Sequence, residues 1–285
     1  MTTPSIRLRP GTGVDEAIQI LRTLEANSRN DALPVGMQHP SDQRDAYVRW
    51  ATSAEKRLRS VFPWAEIAAL LGGPRHRDIC SMTPGSQLIP MMNAELDAQS
   101  DHFGHLAGEL EQARDLFRDA GRCIIPDTSF YIEHPEKLEE VDFHALTQDP
   151  GPVRVVVPII VVDELDGLKK GPQKSRWRAG YTVAVIDRVI LDPPQPAMLR
   201  PKITIPPRGE VTLQILFDPP SHRRMPINDD EIVDRSLACQ PFAKDVTIVT
   251  YDTGQSTRAR TAGLKVTKLR HEPGPEPTTN GPPVT

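Results

Sequence analysis

The segment Val153 to Val162, VRVVVPIIVV, is a nearly continuous apolar run. A strand with one face in water alternates apolar and polar residues. A run like this one is expected of a strand covered on both faces, the condition of a parallel sheet sandwiched between helices. The residues around it fit that setting. Arg122–Pro126, Lys202–Ile205, Val211–Phe217, Val246–Val249 and Lys265–Thr267 read as further strands. Arg176–Leu191, Asp229–Cys239 and Thr253–Ala262 carry helical patterns between them, with Tyr181, Val185, Ile186, Val189 and Ile190 facing inward on the first. Strand and helix alternating over residues 121–270 predict an α/β domain with a mostly parallel sheet.

The first 120 residues have a different texture and predict an all-helical region. Val14, Ile18, Leu21 and Leu24 share one helical stripe, and Tyr47, Trp50, Ala51, Ala54, Leu58 and Val61 share another. Pro63 suits the start of a short helix from Trp64 to Leu71, which Gly72, Gly73 and Pro74 end. From Met92 through Leu96, Gln99, Phe103, Leu106, Leu110 and Ala113 to Phe117 the spacing is that of a heptad seam. Such a seam packs either on earlier helices of the same chain or on a second copy, making 92–117 the candidate homodimer contact. Nine prolines fall between Asp192 and Pro226, which reads as an insertion (192–226) carrying two strands. The tail, 271–285, lacks an apolar pattern and is expected to be disordered.

Composition excludes several classes. Thirty-eight acids against 34 bases give a net charge of −4, so whole-molecule charge does not demand a polyanionic partner. Three scattered cysteines, Cys80, Cys123 and Cys239, fit neither a disulfide scaffold nor a zinc cage, and reduced thiols in the cytoplasm are expected. No secretory leader pattern opens the sequence, and no run reaches the ~18 apolar residues of a membrane span. Neither a phosphate-binding GxxxxGK[ST] loop nor a GxGxxG turn after a strand is present.

Ligands of an open parallel sheet bind at the carboxyl ends of its strands. There the sequence places acids. The first strand runs into Asp127, the second into Asp163-Glu164, and a later strand into Thr250-Tyr251-Asp252; a helix opens with Asn228-Asp229-Asp230-Glu231. Singly, each has a structural reading: a turn at Asp127 or Asp252, a favourable helix start at Asp229–Glu231 capped by Asn228. Together they describe crowded carboxylates, which repel unless a cation holds them. Oxygen donors with no His or Cys cluster select a hard cation, Mg²⁺ or Mn²⁺, over zinc. Helical phase sets Asp229 on the stripe of Ile232, Val233 and Ser236, leaves Asp230 as the second choice and turns Glu231 away. Pleat alternation with Ile160 and Val162 favours Glu164 over Asp163.

PDTSFYI (126–132), VVDELDGLKK (161–170), NDDEIVDRSL (228–237) and VTYDTGQSTRARTAGL (249–264), in this order, resemble the motifs of the PIN domain, a family of metal-dependent nucleases. The resemblance implies a three-layer α/β/α fold over about residues 121–269. It implies a metal-dependent endoribonuclease whose ligands would be Asp127, Glu164, Asp229 and Asp252, with Thr250 as the hydroxyl residue before the last acid. Ser129 stands where the family often has Asn. A domain that keeps the pocket as an interaction module without cleaving, and a nuclease acting on DNA, are the alternatives.

Between Gly167 and Ile186 five bases, Lys169, Lys170, Lys174, Arg176 and Arg178, occur without an acid, interleaved with Trp177 and Tyr181. Bases hold phosphates and rings stack unpaired bases, so single-stranded RNA is the expected partner. Arg223, Arg224, Arg258 and Arg260 are weaker candidates for the same work. The alternative is a solvated helix start with Tyr181 and Trp177 in the core. The helical region is free to bind RNA or a protein regulator.

Overall fold

The computed structural model describes residues 4–33, 39–83, 85–193, 195–220 and 222–271. The expectation of a disordered tail therefore falls, beyond His271, outside the described residues.

Five helices come first: α1 (Val14–Ala32), α2 (Pro40–Val61), α3 (Trp64–Leu71), α4 (Pro74–Ser81) and α5 (Leu88–Phe117). The predicted stripes are their buried faces, and every seam residue of α5 is buried. Its greatest contact is with α1 of the same chain. Pro74 both ends α3 and, at the first position of α4, starts a helix that periodicity had not revealed.

Gly121 leads from α5 into the sheet at φ +62°, and a Cβ there would lie 2.2 Å from the Pro152 carbonyl oxygen, so only glycine fits. Then follow β1 (Arg122–Pro126), α6 (Thr128–Glu133), α7 (Phe143–Thr147), β2 (Val153–Pro158), α8 (Ile159–Leu168) and α9 (Gln173–Val189). The chain continues through β3 (Ala197–Arg200), β4 (Val211–Leu216), α10 (Asn228–Cys239), β5 (Asp245–Thr250), α11 (Thr253–Thr261) and β6 (Lys265–Lys268). The six strands form one sheet in the order β3-β4-β2-β1-β5-β6. β3 alone is antiparallel to its neighbour. Helices flank the sheet, giving the expected α/β architecture. β1 has β2 on one side and β5 on the other, so the strand order reverses there, and the crevice at the carboxyl ends of β1 and β5 is the natural ligand position.

Two expected strands are corrected. The run from Val153 does not stay extended to Val162: it leaves the sheet at Pro158, the N-cap of α8, and Ile159–Val162 is helical. A continuous apolar run fits a buried strand and a buried helix alike, and Pro158 divides the two. The strand placed at Lys202–Ile205 lies earlier, at Ala197–Arg200; Ile203 forms only an isolated bridge with Arg208. Pro206 and Pro207 have no N–H to donate to a ladder there. The Pro-rich segment does carry two strands, but β4 is integral, paired with β2 along its whole length.

Candidate metal-binding acidic site

Asp127 follows β1 and is 4% exposed. It is the N-cap of α6: its Oδ1 accepts from Phe130 N at 3.0 Å and from Ser129 Oγ at 2.7 Å. Its Oδ2 accepts from Thr250 Oγ1. Each hydroxyl in turn accepts a main-chain N–H, Ser129 from Tyr251 at 2.9 Å and Thr250 from Asp252 at 2.7 Å. With a lone pair of each oxygen engaged by an amide, their protons are left to point at Asp127. Burial pushes the Asp127 carboxyl up to about 6; Thr250, Ser129 and the Phe130 N–H oppose the rise, and Asp252 adds to it.

Glu164 lies on α8, one helical turn from buried Ile160 and Val161. The pleat argument for Glu164 over Asp163 fails, because these residues are helical; helix phase turns Glu164 toward the inner face. Thr128 Oγ1 donates to Glu164 Oε2, and Asn228 Nδ2 donates to Oε1 at 2.7 Å. Asp163 is turned outward and pairs with Arg224 at 2.6 Å.

Asp229 is half-buried at the start of α10. Burial raises its carboxyl above the ordinary range; Asp252, then Glu164 and Asp230, raise it further, and Arg258 opposes them at 3.8 Å. In the amide orientation that matches donor to acceptor, the Gln255 nitrogen donates to Asp229 Oδ1 and to its carbonyl oxygen at 3.2 Å. Asp230 pairs with Arg258 at 2.6 Å. Asp252 is exposed and caps α11, Oδ1 accepting from Gln255 N at 2.8 Å. Asp127 and Asp252 thus both act as caps, and capping leaves them near enough for Asp252 to raise the Asp127 carboxyl. Asn228 is not a cap; Ile227 occupies that position.

The expectation that Glu231 points away is wrong. It is 0% exposed, accepting from His222 Nε2 and Met225 N at 2.8 Å. Residues 231 to 236 are all buried, so α10 has no outward face there for phase to identify. Asp218, His222 and Glu231 bring one ligand-type atom each within 4.8 Å of the others. Arg224, at 2.7 Å from Asp218, and Arg235, at 3.5 Å from Glu231, already balance that charge.

Of the basic segment, Lys169 pairs with Asp166 at 2.5 Å, and Lys170 is exposed at the end of α8. Lys174, Arg176 and Arg178 line a cavity of about 970 Å³ together with Trp177 and Tyr251. Trp177 is not in the core: it is 54% exposed. Arg224 and Arg258 are engaged in the ion pairs above.

Sequence reasoning missed Thr128 and Gln255 and gave Asn228 the role of a cap, whereas all three hold the acids by hydrogen bonds. The signal for Gln255 was its place three residues after a capping Asp. Thr128 and Asn228 had none, because both reach a residue far away in the chain.

Fold and site define a class: a mostly parallel α/β domain with acids carried by four elements to the edge where the strand order reverses. The PIN domain family model matches residues 124–270, more than half of the chain, and the chain belongs to that family, whose members generally are nucleases. No curated protein matches the chain.

Proposed function

We propose that the protein is a metal-dependent endoribonuclease acting on single-stranded RNA. The observation that carries this reading is the placement of four acids from four elements near one another, Asp252 acting on both Asp127 and Asp229 and Glu164 acting on Asp229, with hydrogen bonds holding each side chain. Asp127 and Asp229, whose carboxyls are raised by burial and by neighbouring acids, together with Glu164 and Asp252 offer oxygen donors alone, which fit a hard divalent cation, Mg²⁺ or Mn²⁺. These four would hold it, with Asp230 the alternative. When bound, such a cation stabilises charge on a phosphate and lowers the pKa of water.

The chain's own residues do the positioning. Ser129 and Thr250 orient both oxygens of Asp127, Thr128 and Asn228 orient Glu164, and Gln255 orients Asp229. Lys174, Arg176 and Arg178 supply positive charge beside the site for the phosphates of the strand. Three unpaired thiols support a cytoplasmic setting, and among the described residues no helix is long and apolar enough to cross a membrane.

The test is cleavage of labelled single-stranded RNA with Mn²⁺, Mg²⁺ or EDTA, using wild type beside Asp127→Asn. Cutting that needs the metal and that the variant loses is the expected result. Full metal-dependent cutting by Asp127→Asn would sink the site assignment, and no cutting by either protein would leave the interaction-module reading.

A further inference from the structure

Beside the acids lies a cavity whose basic residues that reading gives to phosphates and whose aromatic walls it leaves unassigned. One wall is Trp177. Its ring is stacked on Tyr181, centroids 5.5 Å apart and planes 22° apart, yet more than half of its surface is open. An exposed indole held by a neighbouring ring is a pre-ordered flat surface. The other wall is Tyr251, stacked on His271 with centroids 4.6 Å and planes 16° apart. Both aromatic pairs border the same cavity through Trp177, Tyr251 and His271.

The cations around it have charge to spare. Lys174 and Arg270 make no ion pair among the described residues. Arg176 and Arg178 donate to main-chain carbonyls, of Gly171 and Glu136, which leave their charge unbalanced. Glu133, the carboxylate of the lining, is bonded to His271 at 2.6 Å.

We propose that this cavity is a base-stacking pocket that takes one unpaired nucleobase of the RNA against Trp177 and Tyr251. The proposal rests on the nuclease reading and names how that site selects single strands. An acidic peptide would satisfy the cations but not the two ring surfaces; a nucleotide satisfies both, with a π-face for the rings and phosphates for the bases. Position argues the same way. Tyr251 sits in the chain between Thr250, whose hydroxyl holds Asp127, and Asp252. The cavity also takes in Glu133, at the far end of α6 from Asp127, and that helix of six residues is about 9 Å long. A base in the pocket therefore belongs to a nucleotide neighbouring the phosphate at the acids. A duplex keeps its bases paired and cannot offer one.

The test is binding, measured on the full chain in EDTA so that cleavage plays no part. Short single-stranded RNA is compared with the same backbone made abasic, for wild type, Trp177→Ala and Trp177→Phe. Wild type should bind the RNA with quenching of tryptophan emission. Trp177→Ala should weaken binding about 5- to 150-fold, the worth of one stacked base, and Trp177→Phe should recover most of it. On the abasic strand the three proteins should bind alike. Equal loss on both strands, no loss on either, or no RNA binding at all would overturn the pocket. Trp177→Ala should keep the wild-type melting temperature, since the ring lies largely in solvent. A protein that shows the stacking but never cuts RNA with Mn²⁺ would refute the nuclease and leave the pocket standing.

Discussion

Thr250→Val is the sharpest perturbation of the site, because it keeps the shape of a side chain that is 0% exposed and removes one oxygen. That oxygen donates to the buried Asp127 carboxylate and accepts the Asp252 N–H at 2.7 Å. A hydrogen bond to a charged partner contributes about 1.5–3 kcal/mol, and an amide left without an acceptor adds about 1 kcal/mol at least. The new methyl returns ~0.8 kcal/mol of apolar burial. The net cost is then roughly 2–3 kcal/mol. With a urea slope of about 2–3 kcal/mol/M, the unfolding midpoint in EDTA should fall by about 1 M. Cleavage in Mn²⁺ should fall at least about tenfold, since small misplacements of a catalytic group are costly. Thr250→Ser keeps the oxygen and should lose only the ~1 kcal/mol of a buried methyl, with most of the cleavage retained. The assays are equilibrium urea unfolding followed by circular dichroism, and cleavage of labelled RNA. A Val variant matching wild type in both, or a Ser variant as damaged as the Val variant, would refute the hydroxyl network as the support of Asp127.

Two further outcomes follow from the charges. Asp229→Asn should raise the melting temperature in EDTA by about a degree or two, the small gain appropriate to a half-exposed carboxylate relieved of its acidic neighbours, and should blunt the upward shift that Mn²⁺ gives wild type; a lower melting temperature in EDTA would contradict the repulsion. Asp234 behaves oppositely. Burial raises its carboxyl, but hydrogen bonds from Arg7 and Arg235 outweigh that and hold it below the ordinary range. A depressed folded pKa adds stability above the unfolded value near 4, lost as pH falls through the folded value. Asp234→Asn should thus cost about 1–3 kcal/mol in urea unfolding at pH 7, and the cost should shrink only below about pH 4; a cost that fades between pH 8 and 6 would show that another group is responsible.

What the sequence disclosed depended on the range of the interaction. β1, β4 and β5 and the caps Asp127 and Asp252 are local features, set by apolar runs and by the acids that follow them. Whether an apolar run stays extended is not local: Ile159–Val162 became helix because the ladder ends at Pro158, paired with Leu216, and the α8 face found the core. The burial of Glu231 depends on the segment before α10 folding back over it, with His222 and Met225 reaching its carboxylate. The bond from Thr250 to Asp127 spans 123 residues of chain and left no trace in either motif. The four acids were legible because strand ends and helix starts are where topology concentrates function. Thr250 and Ser129 were named through the family resemblance, but the bond from Thr250 to Asp127, like those of Thr128, Asn228 and Gln255 to the other acids, was not legible, because only the closed sheet brings the partners together.

The helical region bears on the same sheet through a charge that the strand pattern conceals. Arg154 lies within the apolar run, 4% exposed, and burial lowers its pKa below the usual guanidinium range. Its Nη1 donates to the Leu116 carbonyl at 2.6 Å, and its guanidinium lies 5.6 Å from the Phe117 ring centroid. Leu116 is in the last turn of α5, where carbonyls lack helical partners and the helix dipole favours a cation. Phe117 also packs on Phe242, ring centroids 6.2 Å apart, and Arg7 binds Asp234 on α10, the helix that carries Asp229. A chain beginning at Gly121 would leave the Arg154 charge without that carbonyl, a loss of about 1.5–3 kcal/mol, and would remove a buried Phe worth about 3 kcal/mol more. Such a fragment should be less stable to urea by roughly 5 kcal/mol than the sheet within the full chain, while one beginning at Ala113 should recover part of the difference. Equal stability of the two fragments would mean that α5 merely precedes the nuclease-like domain; unequal stability makes its last turn part of that domain's core.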